Sequence, residues 1–337
     1  MKGNDAQILD PTKRFQKLTE IIESRFNVTR FKGYDTQDGS EVTWNELNIS
    51  SYSEARKNEI ISTCKRLQSL HCENLISLKF SWLSENNKIY TFITESTSSH
   101  SIKSMIQGNG PQDRFSALQR WFEPVLNGLA YLHSQTPPIV HTKVKPNSIF
   151  IKPTSKHVKL FTPLIDIYSI LYASNELRLS YSTPPDALFN QISPATDIWG
   201  FGLAFLYTIT GQEPYSECDT PMKLITKLSN YQPPDSLKLV TNQHAHDLLS
   251  LCFQKPDLRP KAVQLLKHPF FTTKFEEQDT LNTPEGIVYF NFSSHQSNSS
   301  KNGDTMPSLS EKPQHSSNSL SEKSQHSSNS QFTPVFE

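Results

Sequence analysis

The stretch IVHTKVKPNSIFI, residues 139–151, has apolar residues at both ends and basic and polar residues between them. The segment SALQRWFEPVLNGLAYLHS (116–134) precedes it, and its apolar residues recur at helical spacing, which predicts a long amphipathic helix. Two more helices are predicted further along, over AHDLLSLCFQ (245–254) and KAVQLLKHPFF (261–271). The chain between residues 116 and 271 is therefore expected to be rich in helices.

The chain before this region has strand signals. EVTWNELNI (41–49) and KIYTFITE (88–95) are rich in β-branched and aromatic residues, and both predict strands. Between them, SEARKNEIISTCKRLQSL (53–70) predicts a helix whose apolar residues share one stripe: Ile60, Ile61, Cys64, Leu67 and Leu70. The sequence thus predicts an α+β protein in which a small β-rich lobe is followed by a larger helical lobe.

Composition limits the classes of function. The chain has 337 residues with 33 basic and 33 acidic side chains, so its charge gives no reason to expect nucleic acid or an anionic membrane as a partner. Its four cysteines form no C-x-x-C pair, which favours reduced thiols in a cytoplasmic or nuclear protein. The N-terminus lacks the apolar core of a signal peptide, and the most apolar run, residues 200–211, is too short to span a membrane.

The C-terminal part of the chain differs in composition. From about Gln278 onward it is rich in Ser, Asn, Gln, His and Lys, so it buries too little apolar area to offset the entropy of ordering, and we expect residues 273–337 to be a disordered tail. The tail contains an 11-residue tandem repeat, LSEKPQHSSNS (309–319) and LSEKSQHSSNS (320–330). Replication slippage explains such a repeat, and a serine-rich phosphorylation target or docking element is the functional alternative.

Several segments together resemble the protein kinase family, and more narrowly the With-No-Lysine (WNK) kinases and their inactive relatives, the nuclear receptor-binding-protein group. The resemblance covers roughly residues 20–272 and implies a bilobal protein-kinase-like fold, with an N-terminal extension (1–19), an N-lobe (20–95) and a C-lobe (96–272). The segments that carry it are FKGYDTQDGSEVTWNELNI (31–49), FITESTSSHSIKSMIQ (92–107), WFEPVLNGLAYLHSQTPPIVHTKVKPNSIFI (121–151), PPD (184–186), DIWGFG (197–202) and CFQKPDLRPKAVQLLKHPFF (252–271).

The resemblance also implies that the positions used for phosphoryl transfer carry other residues here. Kinases have H-R-D-L-x-x-x-N in the catalytic loop and D-F-G after it, and these supply the base and the metal ligands. HTKVKPNSIFI places Lys143 at the base and Ser148 at the metal-binding asparagine, and HVKLFTPLID places Thr162 at the D-F-G aspartate. In the N-lobe, Asn45 stands where most kinases have the phosphate-binding lysine, and Thr63 where they have its glutamate partner.

Other positions give weaker or structural expectations. No glycine occurs between Ile22 and Gly33, so a glycine-rich phosphate loop is missing. The weak candidates for contacting a nucleotide are Arg30, Lys32, Lys145 and Asp166. The resemblance assigns structural roles to four residues: His141 in the loop, Asp197 as an acceptor for the loop backbone, and Arg259 with Asp186 as an ion pair.

We therefore expect a pseudokinase that acts as a signalling scaffold or adaptor for protein partners, with no bound ATP, magnesium or other cofactor. Two alternatives stay open. One is an unconventional serine/threonine kinase that uses Arg30 or Lys32, Lys145 and Asp166 in new roles. The other is a sensor that binds ATP without hydrolysing it.

Overall fold

The computed structural model describes residues 8–25, 27–96, 100–110, 114–151, 157–161, 182–189 and 191–275. In these residues the main strands and one long helix, Glu54–Gln68, come first and most helices follow, as the α+β prediction requires. No helix within these ranges is both long enough and apolar enough to cross a membrane.

The small lobe is a six-stranded antiparallel sheet in the order β1-β2-β3-β4-β6-β5, with one helix against it. The register places Arg30 opposite Asn45, and Asn45 opposite Phe92, across three neighbouring strands. The elements are β1 (Ile8–Leu9), β2 (Phe15–Arg25), β3 (Val28–Asp35), β4 (Glu41–Asn48), α1 (Glu54–Gln68), β5 (Leu78–Leu83) and β6 (Ile89–Glu95).

The two faces of this sheet have different neighbours, because side chains alternate along a strand. One face joins the main core of the protein through α1, whose N-cap is Ser53 and whose buried residues are Ile60, Cys64 and Leu67. The other face holds a separate aromatic cluster, in which the Trp44 and Trp82 ring centres are 5.0 Å apart.

The sheet begins earlier in the chain than the sequence analysis predicts. Residues 8–19, which were assigned to an N-terminal extension, form β1 and the first part of β2. The reason is a turn at Asp10, whose carboxylate accepts hydrogen bonds from the backbone N–H groups of Thr12 at 2.8 Å and Phe15 at 2.6 Å. Phe15, which follows the turn, is 2% exposed and belongs to the aromatic cluster.

The large lobe is built around a helix that is buried on every side. This helix, α5, packs on α3 through Phe122, whose ring centre lies 5.5 Å from that of Phe201 and 4.8 Å from that of Phe205. The helices are α2 (Ile102–Asn109), α3 (Phe115–His133), α4 (Pro185–Leu188), α5 (Pro194–Thr210), α6 (Pro221–Ser229), α7 (Gln243–Cys252), α8 (Ala262–Leu265) and α9 (Pro269–Thr272), with 3₁₀ turns at Pro146–Ser148 and Asp235–Leu239.

A second small sheet lies at the junction of the two lobes. Its strands are β7 (His100–Ser101), β8 (Ile149–Ile151) and β9 (Val158–Leu160), in the order β7-β8-β9. An isolated bridge pairs Leu75, which precedes β5, with Leu160 of β9. The stretch 139–151 therefore runs from the end of the α3 region into the middle strand of this sheet, which pairs with the β9 strand that contacts Leu75.

The end of the described chain still packs on the large lobe. The ring centre of Phe275 lies 5.3 Å from that of Phe115 and 5.7 Å from that of Phe270. The tail was predicted to start at residue 273, so the packed chain extends slightly beyond that boundary. The repeats at 309–330 lie outside the described residues.

Candidate functional site

The loop that begins at His141 is fixed to the first turn of α5 by one buried carboxylate. Asp197 Oδ2 accepts a hydrogen bond from the His141 backbone N–H at 2.7 Å, and its Oδ1 accepts one from the Thr142 N–H at 2.6 Å. His133 Nε2 of α3 lies 2.8 Å from Asp197 Oδ2. Thr142 has a left-handed backbone with φ of 65°, which is strained for a β-branched residue. Asp197 thus holds the loop in a conformation that it would not adopt alone.

The His141 side chain ties this loop to the end of β9. The Lys143 backbone N–H donates to His141 Nδ1 at 3.3 Å, so the ring proton of a neutral imidazole lies on Nε2. Nε2 is 2.5 Å from the Phe161 carbonyl oxygen and donates to it. His141 is 2% exposed, and its side chain joins the loop to the residue that follows β9.

The hydroxyl group of Ser148 is used by the backbone of the same loop. Ser148 Oγ accepts a hydrogen bond from the Lys145 N–H at 3.0 Å and lies 2.9 Å from the Lys143 carbonyl and 2.8 Å from the Lys145 carbonyl. A hydroxyl has one proton and two lone pairs, so these contacts occupy most of its hydrogen-bonding capacity. The side chain therefore closes the 3₁₀ turn.

In the small lobe, Asn45 is buried and bonded to its own sheet. It is 1% exposed, and its Nδ2 donates to the carbonyl oxygens of Thr43 and Phe92, each at 3.1 Å. Thr63 is half-buried on α1, and no hydrogen bond joins it to Asn45 in the part of the chain that the structure describes. Instead the fully buried α1 residue at this point is Cys64, and burial raises the pKa of its thiol to about 12.

Arg30 extends from the sheet toward the large lobe. It is 8% exposed, its Nη1 lies 3.1 Å from Glu23 Oε2, and its guanidinium carbon lies 5.7 Å from the centre of the Phe161 ring. This distance is within the range of a cation–π contact. Because Phe161 follows β9 in the large lobe, the arginine bridges the two lobes at the level of Asn45.

The other small-lobe candidate, Lys32, is directed to a different partner. Its Nζ lies 2.5 Å from Glu20 Oε1 on β2, and this hydrogen bond raises the pKa of the lysine. A second contact between the lobes was not predicted from the sequence: Lys159 Nζ of β9 lies 2.6 Å from Glu95 Oε2 at the end of β6. The Lys159–Glu95 pair has no sequence motif, because it joins two strands that are far apart in the chain.

Arg259 and Asp186 form a fully buried ion pair. Arg259 Nη1 lies 2.5 Å from Asp186 Oδ2 and Nη2 lies 3.2 Å from Oδ1, and both side chains are 0% exposed. Two more N–H donors of the guanidinium bond backbone carbonyls, at 2.6 Å for Gln254 and 2.9 Å for Ala195. The guanidinium carbon also lies 4.9 Å from the Trp199 ring centre.

The structure therefore brings some of the predicted site residues together and leaves others apart. Lys143, Lys145 and Ser148 share one loop with His141, and Asp197 of α5 anchors that loop, while Asn45 and Arg30 pair on neighbouring strands of the small-lobe sheet. Thr162 and Asp166 lie outside the described residues. Within the described ranges, no cluster of three or more His, Cys, Asp or Glu side chains could hold a metal ion.

The bilobal fold and this loop define a class of protein, and a family comparison agrees. Residues 27–271 match the model of the protein kinase domain, so the chain belongs to the protein kinase family.

Among curated proteins it is similar to the serine/threonine-protein kinase WNK8 of Arabidopsis thaliana, with 29% identity over 276 residues, and to the probable serine/threonine-protein kinase WNK5 of Oryza sativa subsp. japonica, with 25% identity over 279 residues. Both of these relatives are named as WNK kinases.

The extent of the matches differs between the relatives. The Arabidopsis match covers 80% of this chain and 48% of the relative, so the chain spans about half of that protein's length; the rice match covers 81% and 84%. The crystal structure of Rad53 1-466 in complex with AMP-PNP has the same fold, with a TM-score of 0.65 and 20% identity over 77% of this chain and 66% of the other.

Proposed function

We propose that this chain is a catalytically inactive kinase, a pseudokinase, that acts in the cytoplasm or nucleus as a scaffold or adaptor for protein partners. The observation that carries the proposal is Lys143. Aligned with H-R-D-L-x-x-x-N, it takes the place of the aspartate that accepts the proton of the substrate hydroxyl. A lysine has three donors and no acceptor when protonated, so it cannot take up that proton. The side chain is exposed, and the loop around it is fixed by Asp197.

The contacts of the neighbouring residues support the same function. Ser148 bonds the backbone of its own loop, and the amide of Asn45 bonds its own sheet. Kinases use an anionic or amide ligand and a lysine at these positions to hold Mg²⁺ and phosphate. Arg30, with its guanidinium 5.7 Å from the centre of the Phe161 ring, lies between the lobes where a nucleotide would enter. Taken together, these contacts disfavour the binding of both metal and nucleotide.

The names of the curated relatives favour a second candidate, an active serine/threonine kinase with relocated groups. This candidate function needs a cationic side chain near the phosphates of ATP, and ion pairs already occupy two of the side chains that could supply it. Lys32 is paired with Glu20, and Arg30 with Glu23. Asp166 would have to bind the metal ion. Labelled phosphate incorporation by the full chain, lost on Asp166→Ala, is the result that would establish this second function.

The test of the first proposal is thermal unfolding of the full chain with ATP, with and without Mg²⁺. A ligand present at 100 times its dissociation constant adds about 2.7 kcal/mol to stability, which shifts the melting temperature by several degrees in a domain of this size. We expect no shift at millimolar nucleotide. The variant Arg30→Val removes the contact between Arg30 and Phe161, and it is a control for whether that contact alone keeps nucleotide out. A Mg²⁺-dependent shift in the unmodified chain would contradict the proposal.

The adaptor part of the proposal needs a separate experiment. Proteins that co-purify with the full chain from its own cells are compared with those captured by Asp197→Ala, in which the loop loses its anchor. We expect partners that bind without added nucleotide and that are reduced for the variant. If no protein binds the intact chain reproducibly, the adaptor role is wrong even where the enzyme assays are negative.

A further inference from the structure

Three consecutive residues at the end of β9 each contact a different part of the small lobe. Lys159 Nζ lies 2.6 Å from Glu95 Oε2 at the end of β6. Leu160 pairs through its backbone with the segment that precedes β5. The Phe161 ring centre lies 5.7 Å from the guanidinium carbon of Arg30 on β3. The end of β9 thus joins the large lobe to the small lobe at three points.

The middle contact is made by backbone groups. The Leu160 N–H donates to the Asn74 carbonyl at 2.8 Å, and the Leu160 carbonyl accepts from the Ile76 N–H at 2.9 Å. The same segment lies against α3, because a Cβ atom added to Gly128 would be 3.1 Å from Leu75 Cδ2. Leu75 and Leu160 are both buried. This segment of the small lobe is therefore fixed to the large lobe by contacts that water does not reach.

The two outer contacts are made by side chains. Lys159 and Glu95 are 30% and 31% exposed, so water and salt ions reach their ion pair. Ser77 Oγ donates to the other carboxylate oxygen of Glu95 at 2.8 Å. The contact of Arg30 with the Phe161 ring is of the cation–π kind. Ion pairs of this exposure are individually weak, and either outer contact can break while the backbone pairing within each lobe stays intact.

The large-lobe side of these contacts is held by the loop of the candidate site. The Phe161 N–H donates to the Ser148 carbonyl at 2.7 Å, and the Phe161 carbonyl accepts from His141 Nε2. Phe161 is itself buried. Since both of its backbone groups are bonded within the large lobe, Phe161 presents its ring to the small lobe from a fixed position.

We infer that residues 159–161 and their small-lobe partners form a clasp that holds the two lobes in one closed arrangement without a nucleotide. The inference rests on the proposed function. Kinases close their lobes around a ligand, and the ligand makes contacts to both lobes. In this chain the side chains of Arg30 and Lys159 make contacts across the cleft instead. The backbone contact at Leu160 is the pivot of the clasp, and the two side-chain contacts beside it determine whether the cleft is closed.

The clasp has a consequence for an adaptor. Surfaces of the small and large lobes are held in a fixed relation before any partner arrives. A protein that touches both lobes then loses less free energy to ordering when it binds, because the surface is already formed. Because the Lys159–Glu95 pair is accessible to salt ions, charge reversal at this pair is the direct way to open the clasp.

The experiment measures the distance between the lobes in the full chain by pulsed electron paramagnetic resonance. One spin label is placed on each lobe, through Gln37→Cys in the turn after β3 and Ser229→Cys at the end of α6, since both residues are exposed. The half-buried Cys72 is replaced by serine, and the other three cysteines are buried. All measurements are made without nucleotide and then repeated with ATP and Mg²⁺.

Three variants test the charge of the clasp. Lys159→Glu places two carboxylates opposite each other, and Lys159→Glu combined with Glu95→Lys restores an opposite pair. Lys88→Glu is the matched control, because Lys88 is an exposed small-lobe lysine in the turn before β6. Melting temperatures establish that each variant is folded.

We expect one narrow distance distribution in the unmodified chain, in Lys88→Glu and in the variant with exchanged charges. Lys159→Glu should move or broaden the distribution by more than the width seen in the unmodified chain. Arg30→Val, which removes the other outer contact, should change the distribution in the same direction.

Two results would overturn the inference. If Lys159→Glu keeps the distribution of the unmodified chain, the pair does not hold the lobes. If the variant with exchanged charges stays as open as Lys159→Glu, the attraction between the two charges is not what closes the cleft. A shift of the unmodified distribution on addition of Mg²⁺-ATP would instead contradict the proposed function, whereas the clasp is judged from the variants without nucleotide.

Discussion

Replacing Arg259 with alanine should destabilise the large lobe strongly. The guanidinium is 0% exposed and makes two contacts with Asp186, at 2.5 and 3.2 Å, and two more with backbone carbonyls. Alanine removes all of these contacts at once. It leaves a carboxylate that is itself 0% exposed without its cation, and it removes the group that lies over the Trp199 ring.

The expected magnitude follows from the burial of both partners. Removing one member of a buried ion pair costs about 3–5 kcal/mol, because the other charge stays buried and uncompensated. For a domain of this size, each 1 kcal/mol corresponds to roughly 2–4 °C in melting temperature. We therefore expect Arg259→Ala to melt about 6–20 °C below the unmodified chain.

The assay is thermal and urea-induced unfolding of the full chain, with three comparison variants. Arg120→Ala removes an exposed arginine from α3 and should change stability by less than about 0.5 kcal/mol. Arg259→Lys keeps the charge but loses the two-pronged geometry, so it should fall between the others. Arg259→Met combined with Asp186→Leu removes both charges and should recover much of the loss.

Two results would refute this reasoning. If Arg259→Ala melts within about 2 °C of the unmodified chain, the pair contributes little and the segment near Asp186 is held by other contacts. If the double variant is less stable than Arg259→Ala alone, the loss comes from missing packing and backbone hydrogen bonds rather than from the stranded carboxylate.

Three further outcomes are expected. Gly200→Ala should cost about 1–3 kcal/mol in urea unfolding, because its Cβ would lie 2.8 Å from the Val144 carbonyl oxygen; an unchanged midpoint contradicts this. The hydrogen bond from Arg14 lowers the pKa of Asp35 in the folded protein. The stability that this provides is present above the pKa of the unfolded state, near 4, and is lost as the pH falls through the lowered pKa of the folded state. Asp35→Asn should flatten stability against pH in that acid range only. Lys143→Asp should transfer no labelled phosphate, since one restored group does not rebuild the site; measurable transfer would show that the remaining residues still bind nucleotide and metal, which contradicts the reasoning from Ser148 and Asn45.

The fold was largely predictable from the sequence, because its signals are local or belong to long recognisable segments. The α1 stripe and the two strands 41–49 and 88–95 are visible as periodic patterns, and the structure has α1 at Glu54–Gln68 and strands at Glu41–Asn48 and Ile89–Glu95. The early strands were missed, because the turn at Asp10 is a short hydrogen-bonded feature and Phe15 is buried only by residues distant in sequence.

The candidate site was predictable to a smaller extent. The sequence indicates which residue types stand at the kinase positions, because that requires only an alignment of motifs. It does not indicate that Asn45 bonds Thr43 and Phe92, or that Arg30 lies over Phe161. These contacts depend on strand register and on the approach of the two lobes, which no local pattern encodes.

The distribution of hydrogen bonds suggests why the fold can persist without the chemistry. The residues that keep a kinase-like identity join separate segments: Asp197 joins α5 to the loop, and His141 joins the loop to β9. Losing either residue would leave several buried polar groups without a hydrogen-bond partner. Each such group lowers the free energy of unfolding by about 1–3 kcal/mol. By contrast, the Ser148 side chain bonds backbone groups of its own loop, and the Asn45 side chain bonds backbone groups of its own sheet. Under the proposed function, the stability of the domain therefore constrains Asp197 and His141. At the positions of Ser148 and Asn45, a side chain needed only to satisfy nearby backbone groups once phosphate and metal were no longer bound.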